Sequence, residues 1–416
     1  MTTDTLIIGG GAAGFFAAIH RALHRPQERV VILERGRSIL EKVRISGGGR
    51  CNVTHGCWDP RELVKFYPRG GRELLGPFHK FACGDTMAWF ADRGVDLKIE
   101  DDGRVFPVSD DSQTIIDCLW GEARRLGIGV ITGARAEAIT APAPRRPETD
   151  AADDRWTVVA GGQRYFAREL VITSGSNPAV WKLLTELGHT VVDPVPSLFA
   201  FNIRDPRLEG LAGISLPWAQ LHISGDNLKA EGPLLITHKG LSGPAVLRLS
   251  AWGARHLHPR RYDFPLSVNW VNQRAGDARA MLAELRNDRS RQQVGKRAQF
   301  DLPLRLWQSL VDAARIPQDL QWAQVSNAQL EALTRELTAG KYRVSGKATN
   351  KDEFTTAGGV DLREIDFRSF RSKKYPTLYL AGEVLDIDAI TGGFNFQAAW
   401  TGGWLIGQQD PVTDAG

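Results

Sequence analysis

The chain has 416 residues, 42% hydrophobic and 24% charged, and Lys plus Arg exceed Asp plus Glu by only four. This balance excludes wholesale disorder and a bundle of membrane helices, and the length suffices for two or three domains that fold without disulfides or metals. Glycine is the outlier at 43 residues, with clusters at Gly9-Gly10-Gly11 and Gly47-Gly48-Gly49 that suit a backbone closely approached by something else.

In chain order, Thr5 to Ile8 predicts a short buried strand, Gly9 to Gly11 a turn, and Ala12 to Leu23 a helix. Arg29 to Leu33 predicts a second strand ending at Glu34, which completes a βαβ unit. Inside it stands Gly9-x-Gly11-x-x-Gly14, with Glu34 twenty residues after the last glycine. Gly9 permits the tight turn, Gly11 lets a pyrophosphate reach the backbone, and Gly14 lets helix and strand pack closely. The helix N-terminus offers unpaired N–H groups to phosphate, and Glu34 is placed for a ribose hydroxyl. Strand, helix and acid agree on a dinucleotide site. The first residues carry no basic segment, and glycines break the apolar run Leu6 to Ile19, so neither a signal peptide nor a membrane anchor is expected and the expected location is cytoplasmic.

Asp85 to Arg93 and Asp111 to Leu126 read as helices, and Val130 to Thr132, Trp156 to Val159 and Leu170 to Thr173 as strands. Ala141 to Asp154 reads as an exposed Pro- and Asp-rich loop. Gly127-x-Gly129 follows a helix rather than a strand and reads as a helix C-cap, leaving one dinucleotide fold. From Val191, Pro194, Pro196, Pro206 and Pro217 punctuate short β-like runs that continue to Val268. Helical patterns follow at Ala278 to Leu285, Leu304 to Ala314 and Leu330 to Leu337, the last opened by Ser326 and Gln329 as a capping box. Thr377 to Leu380 reads as another buried strand and Ala398 to Leu405 as a helix. The expected architecture is α/β: a Rossmann-like domain from residues 1–190 and 346–416, an inserted β-rich domain at 191–268 and a helical subdomain at 269–345.

Two further segments carry chemistry. Ser46-Gly47-Gly48-Gly49-Arg50-Cys51-Asn52-Val53-Thr54 combines backbone donors with short polar side chains suited to a flat polar ligand. Ala381-Gly382-Glu383 and Gly392-Gly393-Phe394-Asn395-Phe396-Gln397 repeat the strand, turn and helix arrangement at the far end, so both ends of the chain are expected to enclose one ligand. The cysteines, Cys51, Cys57, Cys83 and Cys118, contain no C-x-x-C pair, and Cys51 reads as a packed small residue. No metal site is expected. No Ser-His-Asp triad, His-Glu-x-x-His or Walker loop appears.

Together with Thr237-His238-Lys239-Gly240-Leu241-Ser242-Gly243-Pro244, these motifs resemble the flavoproteins grouped with YhiN, BaiN and aminoacetone oxidase, a branch of the two-domain FAD oxidoreductases. The resemblance spans nearly the whole chain and implies FAD as cofactor, with the inserted domains forming a cap. It assigns cofactor contacts to Gly9, Gly11, Ala12, Ala13 and Gly14, then to Glu34 and Arg35. From the second motif it adds Ser46, Gly47, Gly48, Gly49, Arg50, Cys51 and Asn52. Gly175, Gly382, Glu383, Gly392, Gly393, Phe394, Asn395 and Gln397 complete the set. His238 is the candidate acid beside the flavin. The expected reaction is reduction of an activated C=C bond on a small molecule, with NAD(P)H docking transiently because no second nucleotide domain is evident. Other reactions of such relatives are uridine reduction in ribosomal RNA and amino-ketone oxidation, and a flavin sensor without turnover is a further alternative. RNA is therefore an alternative partner, for which Arg255 to Arg261, Arg368 to Lys374 and the twelve tryptophans are the candidate contacts.

Overall fold

A computed structural model describes residues 1–142, 155–348 and 355–411. Most of the loop at 141–154 therefore lies outside the described residues. The chain divides into two compact units, Met1–Pro194 with Thr355–Gly416, and Val195–Phe354.

The first unit is built on a sheet with a parallel core. Strand Thr2–Ile8 lies between Val30–Leu33 and Gln163–Ile172, with Gly129–Ile131 beyond the former and Leu378–Leu380 beyond the latter. Leu6, Ile7, Ile32, Leu170 and Val171 have essentially no exposure, as expected for strands covered on both faces. Antiparallel strands Ala136–Thr140 and Trp156–Ala160 extend one part of the sheet, and Ile365–Asp366 with Arg371–Ser372 form its edge. This is the Rossmann-type α/β arrangement anticipated from sequence. Its strand order reverses direction at Thr2–Ile8, where ligands gather beyond the strand C-termini.

Helix Ala12–His24 covers that sheet and packs on the C-terminal helix Phe394–Gly407. The approach is close enough that a Cβ at Gly403 would stand 2.8 Å from the Ala13 carbonyl oxygen, and one at Gly407 2.3 Å from the His20 Cβ. A buried ionic cluster ties the same elements together. Arg21 pairs with Glu169 at 2.9 Å and donates to the Ile406 carbonyl at 2.9 Å, and Arg25 joins Glu169 at 3.2 Å. Removing one member of such a cluster leaves an unpaired buried charge.

The second unit is a closed six-stranded barrel in the order Ala200–Ile203, Gly240–Ser242, Lys229–Thr237, Ser215–Ile223, Asp263–Asn269 and Gly340–Ala348. Every adjacent pair is antiparallel. Helices Ala275–Asp288, Leu304–Ala313 and Asn327–Ala339 lie in the connection between the last two strands, and the last is opened by the Ser326 and Gln329 capping box. The structure differs from the sequence reading in two respects here. The expected boundary at 268/269 separates parts that share one hydrophobic core, because Phe264 and Leu266 of the barrel and Trp307, Leu310 and Leu333 of the helices belong to the same buried cluster. Residues 244–257, read as β-like, form a helix that starts with Pro244 at its first turn, where proline's fixed φ is already helical.

His20 supplies a test of the first unit's packing. Its ring lies among Phe16 (4.7 Å between centroids), Trp89 (5.9 Å) and Trp404 (6.4 Å), and its Nε2 has no hydrogen-bond partner among the described residues. Burial, aided by Arg93, lowers its pKa to about 3. A lowered folded-state pKa means that the stabilisation is complete above the unfolded value of 6.5 and is lost as pH falls towards 3. We expect wild type to lose about 3 kcal/mol from this group between pH 7 and pH 4.5, and His20→Phe to remove that component, as measured by urea unfolding at both pH values.

Candidate functional site

Strand Thr2–Ile8 delivers the chain into a turn that only glycine suits. Gly9 has φ +115°, and a Cβ there would lie 2.5 Å from the Thr173 carbonyl oxygen. A Cβ at Gly14 would meet the Gly9 carbonyl oxygen at 2.0 Å, so helix and turn touch backbone to backbone. Gly11 is the opposite case: nothing stands within 4 Å of where its Cβ would point. Gly11 is also the N-cap of the helix, with no side-chain cap, so the amides of the first turn, at Ala12, Ala13 and Gly14, have no capping side chain to accept from them. An anion fits there.

At the end of the adjacent strand, Glu34 accepts from Gly10 N–H at 2.8 Å through Oε2 and from Gly36 N–H at 2.7 Å through Oε1. Each oxygen keeps acceptor capacity for a ribose hydroxyl, and the two amide bonds fix the carboxylate's direction. Arg35 beside it is exposed.

In the second motif, Gly47, Gly48 and Gly49 have φ of +58°, +70° and +88°, and Gly48 and Gly49 face open space. Ser46 is turned inward, its hydroxyl donating to the Val43 carbonyl and its own carbonyl accepting from Cys51 N–H. The expectation of a polar side-chain surface is corrected at Arg50, whereas Cys51 is the packed small residue expected. Arg50 lies over the Phe106 ring at 3.8 Å and pairs with Glu100 and Asp110, so its charge is spent inside the unit. Cys51 is wholly buried, and burial pushes its thiol up to about 12, which leaves it inert.

The two ends of the chain do meet. Asn52, its amide oriented by its neighbours, accepts from Gly393 N–H and donates to the Thr54 carbonyl, both at 3.0 Å. Gly393 has φ +86°, and a Cβ on it would stand 2.4 Å from the Thr54 carbonyl oxygen. Gln397 receives hydroxyl donors from Thr54 at 2.5 Å and Thr86 at 2.9 Å and donates to Thr401. Asn395 bridges the Ala389 amide and carbonyl. Phe394, two positions after Gly392 at φ +137°, stacks on Phe66 at 4.3 Å and His55 at 4.6 Å. The side chains of Asn395 and Gln397 are thus occupied by protein partners and shape the loop, rather than presenting free polar groups. Arg69 and Asp388 make a buried bidentate ion pair just ahead of it. Gly382, at φ +78°, abuts Ala13, and Glu383 pairs with Lys42.

Sequence reasoning missed Thr86, the Arg69–Asp388 pair and Lys42, and the bond that joins Thr54 to Gln397; in each case the partner lies more than 300 residues away along the chain. His238 lies in the second unit, exposed on the turn between Lys229–Thr237 and Gly240–Ser242, without a hydrogen-bond partner among the described residues. No group of three metal-ligating side chains occurs among the described residues, and no described helix is long and apolar enough to cross a membrane.

An open helix N-terminus, an oriented carboxylate on the neighbouring strand and glycine turns from both chain ends fit FAD, and the protein is an FAD-dependent oxidoreductase of Rossmann type. More narrowly, the chain belongs to the HI0933-like family, whose model, described as HI0933-like protein Rossmann domain, matches residues 3–409. It is 29% identical over 417 residues to the ribosomal RNA dihydrouridine synthase of Escherichia coli, covering 97% of each chain. It is 27% identical over 413 residues to the 3-dehydro-bile acid delta(4,6)-reductase of Clostridium scindens, again covering 97% of each. Its fold is similar to that of 3-ketosteroid delta1-dehydrogenase from Sterolibacterium denitrificans, with a TM-score of 0.50, 11% identity and 98% of each chain covered.

The open space at Gly11 gives a sharp test. Gly11 has φ −96° and ψ −167°, extended backbone that valine adopts readily. Gly11→Val is expected to fold with a melting temperature close to that of the wild-type apoprotein yet to retain no FAD after gel filtration; a yellow, fully loaded variant would contradict this position for the pyrophosphate.

Proposed function

We propose that this protein reduces a carbon–carbon double bond conjugated to a carbonyl, taking the hydride from NAD(P)H. The observation that carries this reading is the shared chemistry of its full-length relatives. Uridine reduction and delta(4,6)-reduction of a 3-dehydro bile acid both saturate a double bond made electron-poor by conjugation, although their substrates differ greatly in size. FAD, when bound, supplies hydride transfer between nicotinamide and substrate.

The chain's own residues have three tasks in this reading. The first-turn amides at Ala12 to Gly14 and the carboxylate of Glu34 hold the cofactor's phosphates and ribose. The turn at Gly47 to Gly49 and the Gly392-Gly393 turn, locked together through Asn52, supply backbone donors at fixed positions. Hydride addition at one carbon requires a proton at the other, and His238 is the acid assigned to that step.

Ribosomal RNA as substrate is the second reading, and charge distribution favours it. The unit Val195–Phe354 contains 22 Lys and Arg against 15 Asp and Glu, although the whole chain exceeds neutrality by only four. Arg291, Lys296 and Arg297 are exposed there and make no ion pair among the described residues. The stretch at 368–374, expected from sequence to meet phosphate, is instead largely satisfied internally: Arg368 pairs with Asp366, Lys374 with Glu364, and Arg371 bonds the Tyr379 hydroxyl.

An anaerobic absorbance spectrum from about 300 to 600 nm tests the reductase reading, an oxidised flavin being the chromophore near ~450 nm. Bleaching by NADPH or NADH, and recovery of colour on adding a conjugated enone or uridine-containing RNA, is expected. A flavin that neither nucleotide reduces would contradict it and favour an oxidase reduced by its own substrate. His238→Gln is expected to slow reoxidation by the acceptor by about 10²-fold or more while leaving flavin reduction by nicotinamide unchanged. Equal slowing of both half-reactions would remove His238 from the proton step.

A further inference from the structure

Three segments of the first unit meet at one buried histidine. His189 follows helix Pro178–Glu186, is 2% exposed, and places its Nδ1 2.6 Å from Glu364 Oε2. Its Nε2 lies 3.2 Å from the hydroxyl of Ser372, itself 3% exposed. The order Ser–His–Glu is that of a hydrolytic triad, but no nucleophile is presented. The Ser372 oxygen accepts from the amides of Lys374 at 3.1 Å and Tyr375 at 3.2 Å, which take both of its lone pairs. Those amides settle the proton positions instead. With its lone pairs engaged, the hydroxyl donates to His189 Nε2, so Nε2 is bare and Nδ1 carries the hydrogen that goes to Glu364. A second proton, on Nε2, would meet an oxygen with no lone pair left to accept it.

Glu364 also accepts from the Thr190 amide at 3.2 Å and pairs with Lys374 at 3.2 Å. The Tyr375 hydroxyl donates to the Leu187 carbonyl and the Asp361 amide to the Thr190 carbonyl, both at 2.9 Å. The titratable groups facing His189 are Glu364, Lys374 and Tyr375, whose ring centroid is 6.2 Å away. Burial lowers the pKa of His189 and Lys374 adds to this, while the bond to Glu364 opposes both. The cluster stands at the root of two paired strands that join the units. Val191–Ser197 begins two residues after His189 and crosses the boundary into the barrel unit, and Thr355–Val360 ends four residues before Glu364. Gly358 lets these strands touch backbone to backbone, since at φ +134° a Cβ there would stand 2.6 Å from Pro194 Cα. Val360 in turn donates to the Val384 carbonyl at 2.9 Å and accepts from the Asp386 amide at 3.1 Å. Val384 to Asp386 directly follows the Gly382-Glu383 turn of the seat.

We propose that the Ser372–His189–Glu364 chain is a pH-sensitive latch: neutral His189 clamps residues 187–190 to residues 361–375, and its protonation opens the clamp, loosening strand Thr355–Val360 and the Val384 to Asp386 segment bonded to it. A group whose folded-state pKa is lowered stabilises fully above its unfolded value of 6.5, and that stabilisation is lost as pH falls through the folded-state pKa. The latch is therefore closed at neutral pH and opens in acid. Its effect on the cofactor rests on the FAD reading of the seat; the latch itself does not.

The test is native-state hydrogen exchange of the full-length protein from about pH 7.5 to about pH 5, corrected for intrinsic exchange rates. The comparison is His189→Asn, whose amide can still donate to Glu364 but does not titrate, with thermal melts to confirm folding. In wild type, opening at the Asp361, Lys374 and Tyr375 amides is expected to rise by up to about tenfold per pH unit below 6.5, and at Val360 and Asp386 with them. In His189→Asn it is expected to stay flat. Opening that is flat in wild type, or that rises equally in the variant, would overturn the latch. A rise that does not reach Val360 and Asp386 would overturn its link to the seat. Over the same range the Kd of wild-type apoprotein for FAD is expected to rise several-fold more than that of His189→Asn, and equal rises would overturn the effect on the cofactor. Apoprotein that binds no FAD at any pH would overturn the cofactor reading and leave the latch to be decided by the exchange rates.

Discussion

Backbone contact between the first helix and its neighbours governs the flavin unit. Gly14 lets the Ala12–His24 helix rest on the Gly9 turn, and Gly403 and Gly407 let Phe394–Gly407 lie against the same helix with almost no side chain between. Larger residues at these positions would push the helices apart by whole ångströms, because packed interiors leave no slack. The helix must start where it does, pointing uncapped amides past Gly11, for the anion seat to exist at all. The buried Arg21–Glu169 contact and its bond to the Ile406 carbonyl hold the far end of both helices at the same spacing.

The loops around the seat have a similar economy. Asn52, Thr54 and Gln397 connect the second and third motifs through hydrogen bonds, and Gly48 and Gly49 face open space. Side chains that a first reading would aim at the ligand have protein partners instead: Arg50 pairs with Glu100 and Asp110, Gln397 bonds the hydroxyls of Thr54 and Thr86, and Asn395 holds the Ala389 backbone. Such preorganised amides cost no rearrangement when a charged ligand arrives, which is the property a redox cofactor seat requires.

Local chemistry made much of this legible in the sequence. The βαβ unit, the Glu34 acid and the Ser326 capping box each rest on residues within a few turns of one another, and the α/β fold followed from them. What could not be read depends on distant partners. Barrel closure pairs Ala200–Ile203 with Gly340–Ala348 across about 140 residues, and Arg50 is neutralised by acids 50 and 60 positions away. The helix at Pro244–Leu257 was hidden by its Ser-Gly-Pro opening, which signals a turn as readily as a helix start. Lys42 carried no local signal, since its ammonium pairs with Glu383 and lies 3.9 Å from where a Cβ on Gly175 would stand.

The central claim is that turns from both ends of one chain form a single seat for an intact dinucleotide flavin. Identification of the flavin released by heat from the purified protein, with its molar ratio to chain, tests that claim most directly. The account predicts FAD at one per chain, with apoprotein that takes up FAD in strong preference to FMN because the adenosine ribose and second phosphate are needed at Glu34 and Gly11. FMN bound as tightly as FAD, or two flavins per chain, would contradict it.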